Sequence, residues 1–347
     1  MSKNRWVWVG ILITTLLTGC GDERELSELG IIGAVAYDTA DDQTKVSMNI
    51  LQQDGEKTTV LNGTGPSCQE AYEDANEKLP RQMYPSHIRV HVFGEAYARK
   101  GLEEISELVL RDQAFRIDVP MLVVQGDAAD TALRSMAKQG SMESENLYRL
   151  LHENAALGRT VETSVLEFIK QTGTTGIQPL VGCIKVEQTE EETIEVSCSG
   201  AAVFSGNQLI GYLTEQQTLA CQLVRGIPIR ASLYLNESGA SVEIENKKTK
   251  MLVDEQQAEV FIALEVSVTG KKNTMDIETI LRETQKEVQQ TVFQTVQEVQ
   301  HQYGIDIFGF GKTMRDMGTE QWNQLFAQLP VHVRVETTLK SAGQVVK

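Results

Sequence analysis

Cys20 is the one cysteine whose neighbours equip it for a defined reaction. It follows Leu17-Thr18-Gly19, just past the apolar run Trp6–Leu17, which Lys3 and Arg5 precede. A basic flank, a short apolar stretch and Leu-Thr-Gly-Cys together form a bacterial lipoprotein signal. Such a signal directs export, transfer of a diacylglyceryl group to the Cys20 sulfur, and cleavage before Cys20. A bilayer-spanning helix takes about 20 apolar residues, and this run falls well short. An ordinary secretory signal ends in small residues of the Ala-x-Ala type, and none stands here. One acyl chain binds marginally and two anchor stably, at ~0.8 kcal/mol per buried methylene. Residues 1–19 are therefore expected to be a signal peptide, and the mature body to hang from a membrane by lipid on Cys20.

No other residue set points to catalysis. The histidines His87, His91, His152, His301 and His332 stand outside any His-Glu-x-x-His or Cys-x-x-Cys context. His87 and His91 lie four apart in a stretch that reads as a strand, a spacing that gives no shared metal. There is no Gly-x-Ser-x-Gly nucleophile turn. Gly311-Lys312-Thr313 resembles the end of a phosphate-binding loop, but the glycine required five residues earlier is Asp306, whose carboxylate would oppose a phosphate. Gly309-Phe310-Gly311 is expected to shape a turn instead. The chain reads as a non-enzyme with no cofactor and no metal.

Charge narrows the partners. Thirty-two Lys and Arg against 48 Asp and Glu give −16, and the signal peptide removes only Lys3 and Arg5, so the mature body is more acidic still. Without a clustered basic patch, nucleic-acid binding is excluded, because phosphate neutralisation needs one. The same charge repels an anionic lipid surface. Four further cysteines remain, at 68, 183, 198 and 221. Strands over Leu180–Val186 and Thr193–Cys198, paired as a hairpin, would set Cys183 opposite Cys198; that leaves either a disulfide or two buried free thiols.

The elements that carry these residues divide into two regions. A mature chain this long exceeds what one core usually holds. Residues 20–180 alternate strand and helix. Strands are expected at Ile31–Tyr37, Lys45–Gln52, His87–Phe93 and Val119–Gln125, the last almost wholly apolar and so central in its sheet. Residues 54–66 read as a Gly/Thr/Asn loop. Helices are expected at Ser67–Leu79, Glu95–Leu110, Asp127–Met136, Ser144–Leu157 and Val161–Lys170. Residues 181–347 are richer in strand: Ala201–Phe204 and Leu209–Tyr212 as a hairpin, then Ile229–Leu235, Ser241–Glu245, Glu259–Thr269 and Val331–Leu339. Thr214 and Gln217 form a capping box for a short helix. A long amphipathic helix spans about Asp276 to Tyr303, its apolar side (Val288, Val292, Val296, Val299) facing the neighbouring strands. The expectation is an α+β, mixed α/β multi-domain body, with sheets flanked by helices.

Several segments together resemble the Ger(x)C family, the lipoprotein C subunits of spore germinant receptors. They are Cys20-Gly21-Asp22-Glu23-Arg24-Glu25-Leu26, then His87-Ile88-Arg89-Val90 with Phe93-Gly94-Glu95, Ala98, Gly101-Leu102 and Leu110-Arg111-Asp112. Gly200-Ala201-Ala202-Val203-Phe204, Leu209-Ile210-Gly211-Tyr212, Glu215-Gln216-Gln217-Thr218, Gly304-Ile305-Asp306-Ile307-Phe308-Gly309-Phe310-Gly311 and Leu329-Pro330-Val331 complete the set. Two positions depart from the family's pattern: Gly21 stands where a Trp is usual, and Gln217 where an acid is typical. The resemblance implies a lipid-anchored body on the outer face of the inner spore membrane. It also implies assembly with multi-span A-type and B-type subunits and a part in nutrient-triggered germination. The rival reading is a substrate-binding lipoprotein of an ABC-type importer, against which the antiparallel character of the second region counts; a cell-envelope enzyme is a third.

Overall fold

The computed structural model describes residues 29–51, 58–138, 143–188, 194–270, 276–314 and 316–342. Two antiparallel partners, β1 (Leu29–Ala40) and β2 (Gln43–Leu51), start the first sheet, and β3 (Thr58–Gly65) pairs antiparallel outside β2. The segment of β3 reads as a loop because of its glycines, yet these serve a close approach. A Cβ on Gly63 would lie 2.0 Å from the Ala71 carbonyl of α1 (Cys68–Glu77), so only glycine lets that helix pack across the strand. Ser67 caps α1, its hydroxyl accepting the Glu70 N–H at 3.4 Å.

Beyond the short β4 (Gln82–Tyr84), the strands β5 (Val90–Gly94) and β6 (Met121–Val124) run parallel to β1. Both are buried throughout, as a central parallel strand with two covered faces must be. The helix expected over Glu95–Leu110 is two helices, α2 (Glu95–Lys100) and α3 (Glu103–Arg111). Gly101 separates them at φ 129, a conformation no helix contains. The helices α4 (Ala129–Lys138), α5 (Glu143–Ala156) and α6 (Val165–Thr172) follow. The last begins later than expected because Thr160 is used elsewhere, donating to Gly200 O at 2.7 Å, while Ser164 is the cap.

The first sheet does not end at residue 180. The strands β7 (Leu180–Gln188), β8 (Ile194–Ser205) and β9 (Gln208–Leu213) continue it, giving the order β3-β2-β1-β5-β6-β7-β8-β9, with β4 beside β1. Its centre is parallel and both wings are antiparallel. One face carries Val35, Tyr37, Met48 and Phe93 under α1, α2, α3 and α6. The other carries Ala36, Val92, Leu122 and Val124 under α4 and α5.

The second sheet is β10 (Ser232–Leu235), β11 (Ala240–Val253), β12 (Ala258–Gly270) and β13 (Val331–Ser341), in that order. Only the β12–β13 pair is parallel. Strand β11 runs well past the expected Ser241–Glu245. A bulge between Ile244 and Asn246 reverses its inward parity, so Lys247 and Thr249 turn inward and the alternation that marks a strand disappears from the sequence. Lys247 donates to Gln222 O at 2.5 Å, and burial lowers its amine to about 7.

The helix α7 (Glu215–Arg225) lies between the sheets, touching β8 and β11, and the long α8 (Ile277–Gln302) covers β13. One core joins Leu180, Ala201 and Val203 of the first sheet to Val260 and Val296 of the second region. Thr284, a polar interruption in the apolar stripe of α8, is buried with its hydroxyl donating to Ile280 O at 2.8 Å. The Thr214–Gln217 capping box of α7 is present in both directions, at 3.2 and 2.8 Å. Thr214→Ala should therefore cost ~1 kcal/mol in chemical denaturation; a shift below about 0.3 kcal/mol would show the box to be idle.

Candidate functional site

The proposed lipid-bearing Cys20 and its lipobox residues Leu17, Thr18 and Gly19 lie outside the described residues. The described chain starts at β1, whose first residues Leu29–Ile31 pair in parallel with Gln82–Tyr84. Beside that pairing opens a groove of about 790 Å³ between α1 and α3. Residues Gln69, Tyr72, Glu73 and Asn76 of α1 and Glu104, Glu107, Leu108 and Arg111 of α3 face it, each set at helical spacing. Ile32, Met83, Leu108 and Phe115 supply its apolar part, and Phe115 meets Tyr72 edge-on at 5.5 Å.

Beneath the groove runs a buried polar chain. Tyr72 Oη lies 2.8 Å from Tyr37 Oη, which lies 2.9 Å from His91 Nδ1. His91 is wholly buried, and its Nε2 has no partner among the described residues. Desolvation pushes the imidazole to about 3 and both phenols well above their usual range, so the chain is neutral at any physiological pH. It is a neutral hydrogen-bonded chain through the core, open at His91 Nε2, and not acid–base machinery. The other histidines sit apart: His87 beside Tyr84, His152 on Glu162 at 2.8 Å, and His301 and His332 exposed. Among the described residues no group of three His, Cys, Asp or Glu side chains could hold a metal.

The expected register of Cys183 against Cys198 is off by one. A bulge between Gly182 and Ile184 pairs Ile184 with Cys198, and both cysteines are free, buried thiols. Burial raises each to about 12, as it does for Cys221, so none offers a thiolate.

Asp306 is the most densely bonded carboxylate in the described structure. Its Oδ1 accepts the N–H groups of Phe308 and Gly309, and its Oδ2 those of Gly311 and the Trp322 indole, at 2.8 to 3.1 Å. Those backbone donors are the kind a phosphate-binding loop turns on its ligand; here the chain's own carboxylate fills the seat. Burial lifts Asp306 to about 6, with the donors pulling the other way. Gly309 adopts φ 86, and a Cβ on Gly311 would strike the Trp322 ring at 2.4 Å. The loop fastens the two regions: Gln178 N–H donates to Asp306 O at 2.7 Å, and Arg225 donates to both Ile307 O and Gln178 O.

Residues 22–186 match the family described as spore germination protein N-terminal domain, and residues 199–343 match spore germination B3/GerAC like, C-terminal. The chain belongs to the Ger(x)C family. It is 23% identical to spore germination protein KC of Bacillus subtilis (strain 168), covering 96% of this chain and 94% of the relative. Spore germination protein B3 of the same organism is also 23% identical, with 89% and 88% covered. The crystal structure of the GerBC protein has the same fold, with a TM-score of 0.54 over 88% of this chain and 96% of that one, at 15% identity. The break between the two Ger(x)C regions falls in the β7–β8 hairpin, so the C-terminal region supplies β9 and the second half of β8 to a sheet that the N-terminal region begins. This Ger(x)C chain is a spore germination protein of a receptor-subunit family, not an enzyme.

Sequence reasoning found the loop around Asp306 but only as a failed phosphate site, and it missed the groove. The groove carries one signal that could have been read: the side of α3 at Glu104, Glu107, Leu108 and Arg111 is polar except for Leu108, while exposed Leu110 sits among charges.

Proposed function

We propose that the chain is the lipid-anchored C subunit of a spore germinant receptor and is needed for nutrient-triggered germination as an assembly and signalling component. Its body would stand on the outer face of the inner spore membrane, beside multi-span A-type and B-type subunits. The observation that carries this reading is the match to both germination-protein regions along nearly the whole chain, behind a lipobox ending at Cys20. Among the described residues no helix is long and apolar enough to cross a membrane, which suits a body whose hold on the bilayer is acyl chains and partners.

In a strain without redundant receptors, deleting the gene should leave spores that stay refractile and keep their optical density when the cognate nutrient is added. Normal germination of such spores would defeat the proposal. Titrating the purified body with amino acids and sugars addresses the importer reading, which needs saturable binding near micromolar Kd; the receptor-subunit reading expects none.

A further inference from the structure

We propose that the groove between α1 and α3 docks a cationic, amphipathic segment of a membrane-embedded partner subunit. The inference rests on the lipid-anchored receptor reading above and names the surface and chemistry of one of its contacts.

Position comes first. Eight residues, 21–28, separate Cys20 from Leu29. Fully extended, the nine steps from Cys20 to Leu29 span at most ~32 Å, so the start of β1 stays that close to the lipid headgroups. Leu29–Ile31 run beside Gln82–Tyr84, and Gln82 and Met83 line the groove. The tethered end of the body is thus the end that bears the groove.

Chemistry then selects the occupant. The rim carries Glu73, Glu104, Glu107 and Asp112 against one cation, Arg111, which Glu107 already holds at 3.0 Å. Below them Tyr72, Met83, Leu108 and Phe115 offer apolar and aromatic surface. An occupant must present apolar side chains inward and Lys or Arg at its edges, the pattern of an amphipathic helix in a groove. The chain's own lead-in does not fit: Asp22, Glu23, Glu25 and Glu28 outweigh Arg24. Anionic headgroups meet the same repulsion. A small ligand is poorly served as well, because Glu73, Glu104, Glu107 and Asp112 are all exposed at the rim and no buried charge converges on the space.

The test uses the full lipidated chain in spores, with a photo-crosslinking amino acid at Gln69 or Gln113, both exposed in the groove, and a control at Glu255 on the β11–β12 turn. Gln69 and Gln113 should crosslink, and Glu255 should not, to a Lys- or Arg-bearing apolar segment of a co-purifying multi-span subunit, mapped by mass spectrometry. Paired Glu73→Lys and Glu107→Lys substitutions should lower that yield at least ~fivefold, and the Gln pair less, while Glu255→Lys with Glu259→Lys leaves it unchanged. If a multi-span subunit co-purifies but the groove positions mark only lipid, a second copy, the chain itself or nothing, the groove assignment is overturned and the receptor reading stands. If no multi-span subunit co-purifies, the receptor reading fails and takes the groove assignment with it.

Discussion

Asp306→Ala should destabilise the body more than any other single side-chain truncation considered for it. Four buried donors converge on this carboxylate: the N–H groups of Phe308, Gly309 and Gly311 and the Trp322 indole. Alanine supplies no acceptor, and the site is sealed by Phe308, Phe310 and Trp322, all essentially inaccessible. Each buried donor left unpaired costs ~1–3 kcal/mol, so a loss of about 4 kcal/mol or more is expected, a large share of ordinary domain stability. The damage should reach the junction of the two regions, since Gln178 and Arg225 bond the same loop. Asp306→Asn should rescue little, because an amide turns two of its own N–H bonds toward existing donors. Chemical denaturation followed by the Trp322 signal measures this. A loss under about 1 kcal/mol for the alanine variant would mean that the loop holds without its carboxylate.

Cys20→Ala is the second large effect. With residues 1–19 removed, the body carries −18, because that segment takes Lys3 and Arg5 and no acid with it. A surface of that sign gains nothing from anionic lipid, so under the lipid-anchored reading proposed above the diacyl modification would be its intrinsic grip. Alanine has no sulfur to receive the lipid. The variant should therefore appear as uncleaved precursor or as soluble protein. Membrane-bound mature protein should fall at least ~tenfold, with loss of the nutrient response that depends on it. Fractionation and intact mass report this directly. A correctly processed variant that stays on the membrane and germinates normally would show that partner contacts alone suffice.

Elements whose signal is local were readable in advance. The capping box of Thr214 and Gln217 marks the start of α7, and the buried run of β6 announces a central strand, because each depends on neighbours in the chain. What escaped depends on contacts across it. The glycines of β3 look like a loop until α1 packs against Gly63. The far half of β11 loses its alternation to a bulge, and the bulge at Cys183 shifts that cysteine out of register with Cys198.

Taken alone, the sequence determined the acidic balance, the mixed α/β character and the family resemblance, and it is the source of the proposed lipid attachment at Cys20; each is written in residue type and spacing along the chain. Only the tertiary structure decided that β7–β9 complete the first sheet and that Asp306 is an internal anion holding two regions together. It alone also set α1 and α3 as the walls of an acidic groove beside the start of β1. These are matters of burial and of which backbone donors meet which acceptors across long separations, and no local pattern encodes them.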